Sequence, residues 1–282
     1  MPQFLFDLDS AVHNAGKLFT LPDICLRLRE LIDDGENVAE ISRLIQTDTA
    51  LTARLLQIVN SALYSFPVQI DSINQAITLI GTEQLYQLAL ATSAASTFKG
   101  VGGRYIKIQQ FWSHSLYCAL LARLIYKNFV SKDAEILFVT GLLHNIGRLV
   151  MLEQVPDVAA SALITVNDRQ YPWQRELEVA GFSCAELGAA LLTKWNLPEN
   201  ITTAIKYQHQ PLIGDEAFVR QASALHIALC FASDFTQTST DPDFIAAINP
   251  EVLQLLAVPV DWVIQQKPTI DKQANELMTI FK

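Results

Sequence analysis

Charge is scarce in this chain, and positive charge scarcest. Charged residues make up 17% of the 282 positions, with 20 Lys and Arg against 29 Asp and Glu, for a net charge of −9. The basic residues do not cluster. Arg27 and Arg29 alternate with Leu26, Leu28 and Glu30, while Lys127 and Lys132 stand alone. Nothing offers the basic stripe that a phosphate backbone requires, so nucleic acid is not an expected partner. The four cysteines, Cys25, Cys118, Cys184 and Cys230, form no Cys-x-x-Cys pair, which argues against a disulfide framework. All but Cys184 fall at apolar helix positions and read as buried small hydrophobes. No apolar run reaches the ~18 residues of a membrane span, because His144 and Arg148 interrupt the longest candidate. The first ten residues carry Asp7 and Asp9 and no basic region, so they do not read as a secretory leader. A cytosolic protein without a membrane partner is expected. Phosphate loops, dinucleotide fingerprints, the Gly-x-Ser-x-Gly elbow and His-Glu-x-x-His are all missing too, which removes the usual footing for nucleotide-loop and serine-hydrolase chemistry.

What is present is core material: 50% of the residues are apolar. Nearly every segment repeats with a period near 3.6, and no run of alternating β-branched residues appears, so the fold class is all-α, a multi-helical bundle. Asn37 followed by Glu40 reads as a cap opening a short helix. Asp48 opens another that carries Leu51, Leu55, Ile58, Val59 and Ala62 and is broken by Pro67. Ile73 to Ile80 form a helix stopped by Gly81. Helices are expected from about Ile108 to Phe129, from Ala134 to Glu153, from Val155 toward Asp168, from Pro172 through Glu176, and from Glu216 to Phe235. Ser183 and Glu186 form a capping box. The glycines of Lys99-Gly100-Val101-Gly102-Gly103 mark a joint, and the polar stretch from Thr236 to Pro242 marks another boundary. The resulting order is an amino-terminal arm (1–17), a helical half (18–103), a helical core (104–236) and a carboxy-terminal helical extension (237–282).

Four of the five histidines, His114, His144, His209 and His226, lie beyond the glycine joint, in the expected helical core. Taken singly, a histidine on an apolar helix is usually a satisfied core or surface residue. Together, His114 after Trp112, His144 before Asn145 and His209 before Pro211 occupy positions that converge in a helical bundle. Trp112, Trp173 and Trp195 could line a pocket, but beside helix boundaries and on apolar stripes they read as core.

The chain resembles the HD superfamily of metal-dependent phosphohydrolases, and more closely its divergent HDOD branch, over roughly Leu18 to Ala232. Leu21-Pro22, Asp48 through Leu51, Asn60-Ser61-Ala62, Gln75-Ala76-Ile77 and Ile80-Gly81 follow that family's leading half. Trp112-Ser113-His114-Ser115, Gly141 through Gly147, Glu186-Leu187-Gly188-Ala189, Trp195-Asn196-Leu197-Pro198 and His209 follow its second half in order. Thr49 departs from a proline common there.

The resemblance implies an amino-terminal helical subdomain packed on an HD-like core, and a pocket descended from a metal site. His114 and His144 match the first two metal-binding histidines of the hydrolases. Asn145 replaces the paired aspartate, Cys184 falls where a further histidine would stand, Gln208 precedes His209 where two histidines often occur, and Leu229 aligns with the distant aspartate. His226 is read as a helix residue beside the pocket. Arg148 falls where a lysine is common. It is either a helix-exposed arginine or, sharing a face with His144, an anion contact. The implied pocket is therefore His114, His144, Asn145, Arg148, Cys184 and His209, with no cofactor and no metal expected. An ion bound by His114, His144 and His209, with Cys184 as a fourth ligand, would be structural, since four protein ligands close its coordination sphere.

Asn145 supplies one neutral oxygen and no charge to offset a divalent ion, so the chemistry reads as lost. The expected function is a bacterial signal-transduction protein that recognises a protein partner, through the groove between its halves or its amino-terminal apolar surface. Two alternatives stand beside it: a phosphohydrolase with an atypical ligand set, and a sensor of an anionic small ligand in the former metal pocket.

Overall fold

The computed structural model describes residues 7–98, 101, 105–163, 171–236 and 248–281. Among them every regular element is a helix and there is no strand. The described chain forms two compact units.

One unit comprises residues 20–98 and 271–281. Its helices Asp23–Asp33, Val38–Gln46, Thr49–Val59, Ile73–Ile80 and Thr82–Thr97 close around Leu28, Ile45, Leu51, Leu55, Ile58, Ile73 and Leu85, all essentially inaccessible. Short polar side chains set the helix starts. Asn37 Oδ1 accepts the amides of Ala39 (3.0 Å) and Glu40 (3.2 Å), and Asp48 Oδ1 accepts that of Leu51 (2.9 Å). Ser72 Oγ accepts the Gln75 amide (3.2 Å), a cap the hydrophobic pattern does not announce. Gly81, at φ 91°, ends the helix before it, where a side chain would be strained. The helix opened by Asp48 stops at Val59, well before Pro67. The reason is Asn60, whose amide nitrogen donates to Leu56 O (2.9 Å) and Ile70 O (2.8 Å) while its oxygen accepts the Ile70 amide (2.7 Å). The end of the chain returns to this point: Gln273 Nε2 donates to Ala62 O (3.1 Å), and Glu276 accepts the Ala62 amide (3.3 Å). The carboxy-terminal extension is thus divided, its last helical turns joining the leading bundle.

The other unit comprises residues 7–19 and the described part of 101–270. The long Ile108–Phe129 helix packs along Val219–Thr236 and Glu135–Leu143. The amino-terminal arm is itself a helix, Leu8–Leu18, capped by Asp7 and lying on Ile146–Gln154 and Cys184–Lys194 through the fully buried Ala11 and Ala15. Gln154 Nε2 donates to its Ala11 carbonyl at 3.0 Å. Helix Val260–Gln265, which periodicity does not announce, seats Trp262 edge-on against Phe129, centroids 4.7 Å apart. The Ser183 and Glu186 capping box is complete. The joint at Lys99 to Gly103, apart from Val101, and the stretch from 164 toward Asp168 lie outside the described residues, as does Gln237 to Pro242.

The helix expected from Ala134 to Glu153 is two helices, Glu135–Leu143 and Ile146–Gln154, broken at His144 and Asn145. Side chains take the carbonyls that would carry the helix through. His144 Nδ1 donates to Gly141 O (2.7 Å), and Gln208 Nε2 donates to His144 O (3.1 Å). The Arg148 amide turns to Asn145 O instead (3.0 Å). Contrary to the sequence expectation, residues 135–154 together are long and apolar enough to cross a membrane, with mean hydropathy 1.4, but 78% of that stretch is buried within the fold. Past the break, the second helix crosses Cys184–Lys194 so closely that a methyl group on Gly147 would collide with the Cys184 carbonyl and the Gly188 amide, backbone that cannot step aside.

Candidate functional site

The break at His144 opens one wall of a cavity of about 800 Å³, within the size range of small-molecule sites. His114, His144, Asn145, Arg148, Cys184 and His209 all line it. The Ile108–Phe129 helix brings His114, the break brings His144 and Asn145, and the first turn of Ile146–Gln154 brings Arg148. Cys184 opens its helix, and His209 follows Glu199–Lys206.

The His114 and His144 rings lie 5.4 Å apart, tilted by 46°. His114 Nε2 meets Ser233 Oγ at 3.1 Å, and that hydroxyl donates onward to Leu229 O (3.1 Å). Burial favours the neutral rings. It holds His114 down to about 3, with His144 and Arg148 adding to the effect, and His144 down to about 4 despite the Gly141 carbonyl. His209 is pushed well below its usual value by burial, then by His226 and the neighbouring Arg148 and His144. At neutral pH the site is an array of uncharged imidazoles.

Arg148 is not simply a helix-exposed arginine. Its guanidinium reaches Glu176 Oε1 at 3.3 Å, and the other Glu176 oxygen accepts the Cys184 amide at 2.7 Å. Glu176 is 2% exposed, a buried acid beside the pocket that the sequence reading placed only on a helix. Burial disfavours the charged guanidinium, but Glu176 outweighs it and the Arg148 pKa is raised. Burial and the same carboxylate push the Cys184 thiol well above its ordinary value, and its sulfur packs 3.8 Å from Met151 Sδ. All four cysteines are buried and unbridged.

Three further groups belong to the cavity wall. His226 lines it, with Nδ1 on Gln208 O at 2.8 Å, rather than standing aside. Its signal was available, since His226, Leu229 and Ser233 are spaced three and four apart on one helix face that reaches the cavity. Gln208 lines it too, while Trp173, expected in the core, is half-exposed there and stacks on His209 at 5.4 Å and 9°. Trp112 and Trp195 are core residues. No spacing rule connects Glu176 or Trp173 to His144, and only the fold does; Gln208 is marked by the resemblance, which places it where a histidine often stands.

These residues do not fit a divalent metal. Among the described residues no three His, Cys, Asp or Glu side chains converge as a metal-holding group. Among the described residues no carboxylate lines the cavity, and that of Glu176 beside Arg148 is committed to the guanidinium and the Cys184 amide, leaving nothing to offset an ion's charge in a buried pocket.

A curated relative from Treponema pallidum (strain Nichols), named only as an uncharacterized protein, is 27% identical over 213 residues, 70% of this chain and 40% of that one. The chain therefore spans about 40% of that relative's length. Solved structures share the fold. A "Putative phosphohydrolase" from Shewanella amazonensis SB2B superposes with a TM-score of 0.76 at 24% identity, over 97% of this chain and 98% of that one. A "Putative signal transduction protein" from Marinobacter aquaeolei VT8 gives 0.69 at 18%, over 99% and 67%. An "HDOD domain protein with unknown function" from Geobacter sulfurreducens gives 0.66 at 22%, over 95% and 99%. With residues 18–211 matching the model of the HDOD domain, this chain belongs to the HDOD family.

Proposed function

We propose that this chain is a cytosolic regulatory protein of bacterial signalling that works by recognition, binding a protein partner, and that its HD-like pocket performs no metal-dependent hydrolysis. The observation that carries this is the state of the acid that meets Arg148: Glu176 is buried and consumed by the guanidinium and the Cys184 amide. A phosphohydrolase of the kind this pocket resembles holds its ion with carboxylates as well as imidazoles and keeps an open position for water. Here the ring nitrogens are neutral and the ligand charge is missing. The name signal transduction protein borne by the Marinobacter aquaeolei relative agrees with a regulatory role. The pairing of Arg148 with Glu176 weighs against an anion sensor built on that guanidinium, because its charge is already matched.

The test is metal analysis of the purified chain together with a panel of phosphomonoesters, phosphodiesters and nucleotides under Mn, Mg, Fe and Co. The expected outcome is substoichiometric metal and no turnover, alongside recovery of a protein partner by cross-linking in cells. Turnover that His144→Ala abolishes would establish instead the hydrolase that the name of the Shewanella amazonensis relative suggests.

A further inference from the structure

The hydrogen-bonding valences of the cavity's buried side-chain atoms are lopsided. His144 and His226 each place Nδ1 against a backbone carbonyl, Gly141 O and Gln208 O, at 2.7 and 2.8 Å. A ring nitrogen facing a carbonyl must carry the proton, so in each neutral ring Nε2 is a bare lone pair. Both Nε2 atoms are buried without a partner, and His144 and His226 are 1% and 8% exposed. Gln208 spends its amide nitrogen on His144 O, which leaves Oε1, also buried and unpartnered, as an acceptor. The Ser233 hydroxyl donates to Leu229 O, so His114 Nε2 donates to Ser233 and presents no lone pair at that end. The one open donor among the cavity's buried side-chain atoms is Arg148 Nε, on a guanidinium whose charge faces Glu176. Three acceptors thus stand open against a single donor, and leaving a buried acceptor unmatched is costly.

We infer that the cavity binds a small molecule rich in N–H donors, an amine, amidine or amide that is neutral or cationic, and that His144 Nε2, His226 Nε2 and Gln208 Oε1 accept its hydrogen bonds. The inference rests on the reading that this pocket performs no metal-dependent hydrolysis and is free to bind a ligand. A phosphate or carboxylate would meet lone pairs on that wall, whereas an N–H donor meets acceptors that burial keeps unprotonated.

The experiment uses the full chain with ¹⁵N-labelled histidine at pH 7.5 and four probes: benzamidine as a cationic donor, 2-aminopyridine as a largely neutral one, inorganic phosphate and zinc chloride. One or both amines should move the His144 and His226 Nε2 signals upfield, in the sense of a lone pair gaining a hydrogen bond, while phosphate leaves them in place. The responding amine shows whether the site takes a charged or a neutral donor. His226→Phe should weaken its binding roughly ten-fold, the effect of one lost hydrogen bond in a buried site; unchanged affinity would overturn the assignment. The wild-type spectra decide the matter even if that variant does not fold. Silence from both amines overturns the inference and leaves the recognition role standing, as does a response of the same signals to phosphate. A response to zinc accompanied by phosphoester turnover overturns both.

Discussion

The two units differ in how many buried polar side-chain atoms they leave unsatisfied. In the unit of residues 20–98 and 271–281, polar side chains finish local structure: Asn37, Asp48 and Ser72 cap helices, and Asn60 stitches one helix end to the next segment. Among its described residues only Arg54 Nε is buried without a partner. In the unit that carries the cavity, His144, Arg148, Gln208 and His226 all retain open, buried polar atoms within one pocket wall. Buried polar groups are ordinarily satisfied, so such a concentration marks a place where stability has been exchanged for something else. Both units use polarity to fix their own backbone, the cavity unit at Asp7 and at Ser183 with Glu186, but only the cavity unit also gathers unspent polar atoms in one place.

The sharpest way to break this contrast is to remove the acid that balances Arg148 in the cavity wall. Glu176→Ala strips Arg148 of its counter-charge and the Cys184 amide of its acceptor. Breaking a buried pair from one side costs about 3–5 kcal/mol. The Arg148 side chain retains 23% of its exposure, so the lower end, about 3 kcal/mol, is expected in urea unfolding. Glu176→Gln, which can still accept the Cys184 amide, should lose less. A loss under about 1 kcal/mol would mean that water already serves Arg148 and that the wall is not a closed network.

Acid offers a second test, because the units differ in histidine content: residues 20–98 and 271–281 contain none. His144 takes a proton near 6.5 in the unfolded chain but only near about 4 in the folded one. Between those values the unfolded state holds more protons, so stability falls as pH falls through that window. At about 1.4 kcal/mol per pH unit, His144 alone accounts for about 3 kcal/mol by pH 4, and His114, held to about 3, adds to it. All four tryptophans, Trp112, Trp173, Trp195 and Trp262, belong to the cavity unit, so their fluorescence follows its unfolding. Urea midpoints by fluorescence should drop steeply from pH 7 to 4.5. A flat profile would show rings already charged in the fold, and the acceptor assignment would go with it.

How much of this is written locally differs between fold and site. Apolar periodicity marks the Ile108–Phe129 helix to the residue, since it packs against two apolar helices, Val219–Thr236 and Glu135–Leu143, and buries residues along its length. It misses Leu8–Leu18, where Ala11 and Ala15 are too small to draw a stripe and contact with Cys184–Lys194 decides the matter. It runs through His144 because the break depends on Gln208, 64 positions away. His114, His144, Asn145, Arg148, Cys184 and His209 could be singled out by resemblance, and the fold brings them to one cavity. Glu176 could not be found in this way. A glutamate in a helix opened by a proline looks like any solvated glutamate until its two oxygens are seen against Arg148 and the Cys184 amide.

The smallest effect probes the unit whose polar groups are satisfied. Asn37→Ala removes the acceptor of the Ala39 and Glu40 amides, both at the exposed start of Val38–Gln46. An N-cap of this kind is worth about 1 kcal/mol, since water replaces part of what the side chain provides. The loss should be local, with faster hydrogen exchange at Ala39 and Glu40 and little change at Ile45, which is buried in the same helix. Acceleration that spreads through Thr49–Val59 would mean that capping there supports the whole bundle, and the polar groups of this unit would then be as consequential as those around His144.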